Sequence, residues 1–141
     1  MKQLLLPLLS VGIFCGSCTK QPAPTPELLG TWTQDHYTYD QPRPYFGREQ
    51  GTVPNAPNTY MIVAAQSIEY HIPSVSVPFT QAYTRQGQQL HIAAGTPDER
   101  TETITKLTSQ ELVLHIARIM PSTLTNLKQD SIVLDYTYIR Q

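Results

Sequence analysis

Every second residue of S-I-V-L-D-Y-T-Y-I-R, residues 131–140, can face one side of a sheet: Ile132, Leu134, Tyr136 and Tyr138. A period of two sets these side chains on one face of an extended strand and their neighbours on the other. A helix would scatter them around its surface. The same beat recurs along the chain. E-L-V-L-H-I-A-R-I, 111–119, aligns Leu112, Leu114 and Ile116, with Arg118 at the end of the row. Ile68, Tyr70 and Ile72 align in another segment, and Phe79 and Tyr83 in a further one. We read these as the inward faces of one sheet structure.

Turn residues separate these segments at intervals of about 8–12 positions, the spacing of a sandwich or barrel. Helix signals are weak, and Thr, Tyr, Val and Ile, which favour strands, dominate. The pattern predicts eight strands, over 31–39, 60–65, 67–72, 78–85, 89–93, 101–107, 111–119 and 131–140. R-Q-G-Q, 85–88, reads as a hairpin turn because Gly87 accepts positive φ. The proline-rich stretch 41–58 reads as the longest loop. Hairpin-linked neighbours imply an all-β antiparallel meander. Closing it into a small, roughly eight-stranded β-barrel removes the exposed edges that would otherwise pair with other chains.

The N-terminal residues follow a different pattern. Lys2 precedes an apolar stretch, 4–14, too short to span a bilayer, which needs roughly 20 residues. It suits the hydrophobic region of a signal peptide. C-G-S-C, 15–18, has redox spacing but lacks the strand-to-helix setting that exposes a reactive thiolate. It resembles instead the lipobox of bacterial lipoproteins, with small Ser17 just before the cysteine that becomes lipidated. That resemblance implies a signal peptide over 1–17, lipidation of Cys18, and departure of Cys15 with the signal. T-K-Q-P-A-P-T-P-E follows, with prolines at alternate positions, and reads as an extended tether over 18–27. The folded domain then covers 28–141.

Formal charge over the whole chain is −1, with no basic stripe, which argues against nucleic acid as a partner. We expect a monomer that meets a membrane only through its lipid anchor.

L-L-G-T-W, 28–32, opens the first strand and resembles the G-x-W start of lipocalins, with Gly30 and Trp32 at the matching positions. The resemblance implies a lipocalin-like barrel whose floor is closed by Trp32, with a basic side chain packed over it; Arg140 fits that role by position. The hairpin I-T-K-L-T-S-Q-E-L-V-L, 104–114, is similar to one in lipocalin-like domains of Gram-negative bacterial lipoproteins. The chain is shorter than typical lipocalins and lacks their C-terminal helix and their second and third motifs. In some Gram-negative lineages acidic residues after the lipidated cysteine direct export. Their absence here implies an outer-membrane anchor facing the periplasm.

Four histidines, His36, His71, His91 and His115, lie on separate strands without paired metal-ligand spacing. No G-x-S-x-G elbow is present. Asp98 and Glu99 fall in a turn, and Asp135 faces outward. We therefore expect neither a catalytic constellation nor a metal or other cofactor. If Trp32 points inward, so do Gln34 and His36. With Tyr70, Tyr83, Arg118 and Tyr136 they form a candidate ligand lining, with Arg85 a further inward residue. Two functions follow. One is a module binding a small hydrophobic or amphipathic molecule in the barrel. The other is a filled barrel that meets an envelope partner through 41–58, with Tyr45 and Phe46 at its tip. An internal cavity favours the first.

Overall fold

A computed structural model describes residues 28–43, 47–120 and 130–141 of the chain. The leader, Cys18, the tether and the Tyr45–Phe46 tip lie outside the described residues. The described elements are nine strands: β1 (Gly30–Arg43), β2 (Gly47–Pro54), β3 (Tyr60–Val63), β4 (Ser67–His71), β5 (Phe79–Gln86), β6 (Gln89–Ile92), β7 (Arg100–Leu107), β8 (Glu111–Met120) and β9 (Asp130–Arg140). All pairings are antiparallel. β1, β3, β4, β5, β6, β7, β8 and β9 follow one another around the sheet, and β9 returns to β1 to close an eight-stranded barrel. β2 is an extra strand on the same edge of β1 as β3, paired with the later half of β1.

The stretch 41–58 is therefore not the long loop that its prolines predict. β1 continues to Arg43, and β2 fills Gly47–Pro54. Proline is tolerated where a strand has an open side. β9 stops pairing with β1 at Asp40, so Pro42 has only β2 beside it, and Pro54 ends an edge strand. The connection between β2 and β3 is tied to β1. Asn55 donates its backbone N–H to Asp35 O (3.1 Å) and its side-chain amide to Gln34 O (3.0 Å), while Gln34 N–H reaches Thr59 O (3.0 Å).

Two bulges alter the face pattern. β1 shifts register against β9 between Gln34 and His36, leaving Asp35 as the extra residue. β7 shifts against β8 between Ile104 and Lys106, around Thr105. A bulge adds one residue and so reverses the parity beyond it. In β1 this places Tyr37, opposite Tyr136, on the inward row. His36 stands opposite Thr137 on the outer face.

Turns joining β3 to β4, β5 to β6 and β7 to β8 gather at one end with Gly30 and Arg140. Gly87, at φ +60°, forms the expected tight turn between β5 and β6. The interior of this end is solid. Leu28, Trp32, Met61, Val63, Ile68, Tyr83, Leu90, Ile92, Ile104, Leu112 and Leu114 form one buried cluster. Truncating one such aliphatic side chain to Ala typically costs about 2–5 kcal/mol. Trp32 is fully buried, and its indole Nε1–H donates to Leu28 O at 2.9 Å. The Arg140 guanidinium lies 4.7 Å from the centre of the Trp32 ring and donates to Leu29 O at 2.8 Å. Among the described residues the opposite end is open.

Candidate binding cavity

Above this core the barrel encloses a cavity of about 910 Å³ that opens at the far end. The inward parity of the strands delivers its walls. β4 contributes Tyr70, β5 Phe79 and Gln81, β7 Arg100 and Glu102, β8 Ile116 and Arg118, and β9 Tyr136 and Tyr138. The β6–β7 turn adds Asp98 and Glu99 at the rim. That turn is held by its own bonds, Glu99 accepting from Gly95 N–H at 2.8 Å and Thr96 donating to Ala93 O at 2.7 Å.

Four of the six residues expected to line a ligand site, Gln34, Tyr70, Arg118 and Tyr136, meet around this cavity. Two do not. His36 is turned outward by the Asp35 bulge, and its Nδ1 pairs with Asp35 at 2.7 Å. Tyr83 belongs to the solid half, where its hydroxyl donates to Ala64 O at 2.9 Å. Arg85 sits near the closed end and bonds Gly87 O at 2.7 Å. Leu114 lies in the core beneath the cavity.

On the cavity wall, reaching down to buried Glu102, lies a polar group that the sequence pattern does not single out. Arg100 donates through Nε to Glu102 Oε1 (2.7 Å), through Nη1 to Gln81 Oε1 (2.8 Å) and through Nη2 to the Tyr70 hydroxyl (2.9 Å). Its guanidinium carbon is 5.7 Å from the centre of the Tyr70 ring, which stacks on Phe79 at 5.1 Å. Glu102 is only 4% exposed. A buried ion pair contributes little net stability, but removing one partner strands a charge, at a cost of about 3–5 kcal/mol. Parity could have found Glu102, which stands two residues before Ile104. The Thr105 bulge hides it, because Ile104 and Leu107 share a face at a spacing of three.

The electrostatics keep the tyrosines neutral. Burial pushes the Tyr70 hydroxyl well above its ordinary pKa; Glu102 adds to this and Arg100 works against it. Burial raises Tyr138 strongly too, with Glu102 as the next contribution. Tyr136 rises through burial, offset in part by Arg118. Burial opposes the charge of Arg100, but Tyr70 and Glu102 outweigh it and hold the guanidinium protonated. Neutral phenols act here as hydrogen-bond donors and acceptors. Among the described residues no group of three His, Cys, Asp or Glu side chains is placed to hold a metal ion. His71 stacks on Tyr60 at 4.2 Å, and His115 pairs with Asp135 at 2.8 Å on the outer surface.

No family model, no curated protein and no solved structure matches this chain.

Proposed function

We propose that the domain is a non-enzymatic binding module that takes up a small hydrophobic or amphipathic molecule, held at the outer membrane through lipidated Cys18. The observation that supports this most directly is the open cavity of about 910 Å³ over a solid core. Small-molecule sites are typically clefts of roughly 300–1,000 Å³ with apolar walls and a few placed polar groups. Ile72, Phe79, Met61 and Ile116 supply apolar wall here; Gln34, Tyr70 and Tyr138 supply polar groups. A filled barrel acting only through its surface would have no use for such a space.

Titration with the neutral fluorescent probe N-phenyl-1-naphthylamine tests the reading. Saturable enhancement at one probe per domain is expected. Ile72→Trp, which adds bulk at the cavity wall, should weaken it. Linear, non-saturating fluorescence would remove the proposal and favour a module that acts through its surface.

A further inference from the structure

We propose that the ligand enters head first, with an uncharged hydroxyl or amide head seated on Glu102 and Tyr138 at the cavity base and its apolar part towards the mouth. This rests on the binding function proposed above and names the ligand class. Most simple pictures of an amphiphile in a barrel place the polar head at the mouth, where water solvates it. Here the mouth carries exposed Asp98, Glu99 and Arg118, but two polar groups also lie deep, beside Met61 and Ile116 at 1% and 6% exposure. Glu102 and Tyr138 are 4% and 8% exposed, whereas Phe79 is 38% exposed where it lines the cavity.

The hydrogen-bond inventory at the base is specific. Glu102 uses Oε1 to accept from Arg100, and among the described residues nothing donates to Oε2. The Tyr138 hydroxyl likewise has no described partner, and neither atom is sealed off from the cavity space. A ligand that covers these atoms without matching them would pay about 1–3 kcal/mol for each. A ligand hydroxyl suits both in kind, since it can donate to Oε2 and accept from the phenol.

Charge decides the class of head. All three kinds of nitrogen in Arg100 are already engaged, by Glu102, Gln81 and Tyr70. The positive and negative charges at the base therefore cancel. A carboxylate head would face the open oxygen of Glu102, beside an Arg100 whose charge Glu102 already offsets, and an ammonium head would face Arg100. Arg118, the cation that the sequence suggests for an acidic head group, lines the same cavity but is exposed, so an acidic head paired with it stays near solvent.

Displacement of bound N-phenyl-1-naphthylamine by 1-decanol and by decanoate at pH 8 tests this. Decanol should displace the probe at about a tenfold lower concentration, the value of roughly one matched hydrogen bond and one avoided repulsion. Tyr138→Phe, which keeps the ring, should narrow that gap severalfold, as should Glu102→Gln. Failure of the probe to saturate would overturn the binding function and this inference together. Saturable probe binding with decanoate equal to or better than decanol would overturn the head-first inference alone. So would a decanol preference that Tyr138→Phe leaves intact, a variant that answers the question even if Glu102→Gln fails to fold.

Discussion

At the scale of single residues, the closed end depends on three positions. Gly30 holds φ +135°, a backbone region that side chains rarely adopt, with the Arg140 guanidinium about 3.7 Å from where a Cβ would stand. Trp32 fills the floor, and Arg140 covers it while bonding a backbone carbonyl. Arg140→Ala removes a cation–π contact worth about 0.5–2 kcal/mol and a hydrogen bond worth about 0.5–1.5. We expect a loss of stability of about 1–3 kcal/mol. Trp32 is the chain's sole tryptophan, so its emission reports this site alone. Thermal unfolding followed by that emission should show a lower midpoint and a red-shifted folded baseline. Unchanged emission would mean that Arg140 does not shield the ring.

Among the elements, β1 carries the most structure. Its first half pairs with β3, its second half with β2, and its other edge with β9. On the β1–β2 ribbon, Tyr39 stands opposite Gly51 and lays its ring over it. A Cβ at Gly51 would meet the Tyr39 hydroxyl oxygen at 2.5 Å and ring carbons at 2.6 and 2.7 Å. Gly51→Ala must therefore displace the ring, an overpacking change that typically costs about 1–3 kcal/mol. Hydrogen exchange should show faster opening of β2, with β6 to β8 unaffected. Equal protection in β2 would show that Tyr39 moves aside freely. The ribbon also shows where sequence reading reached its limit. Alternation located β8 and β9 well, because no bulge interrupts their inward rows. It misassigned His36 because one extra residue, Asp35, reverses the face, and nothing in T-W-T-Q-D-H-Y marks where that residue will fall.

For the whole molecule, the buried tyrosines set the response to pH. Tyr70, Tyr83, Tyr136 and Tyr138 all have pKa values raised above the ordinary value of about 10, burial being the first cause in each. The folded state keeps these protons to higher pH than the unfolded chain does. Their contribution to stability is thus complete below about pH 10 and is lost as pH rises from there through the folded values. Denaturant midpoints should hold from pH 8 to 9.5 and fall above pH 10, with late phenolate absorbance at 295 nm appearing together with unfolding. Phenolate absorbance that completes near pH 10 with the barrel intact would contradict the burial. Attachment is a second whole-molecule property. If Cys18 carries acyl chains, each contributing about 0.8 kcal/mol per buried methylene, the domain is held firmly on a membrane. Cys18→Ala should abolish fatty-acid labelling and leave the protein unprocessed or soluble. Persistent labelling of the variant would exclude Cys18 as the lipidated residue.

Local pattern alone determined the strand content, most strand positions and the antiparallel barrel. Period-two alternation and turn residues act over a few positions, and both survive in a single sequence. It also identified Gln34, Tyr70, Arg118 and Tyr136 as inward residues, since each lies in an unbroken row or before the bulge of its strand. Tertiary structure decided the rest. The Arg100–Glu102–Tyr70–Gln81 group joins three strands across the barrel interior, so no spacing along the chain encodes it. The two bulges depend on how β1 fits β9 and how β7 fits β8. The division of the interior into a solid half and an open one depends on how many side chains meet at each level, a sum over eight strands that no one strand carries.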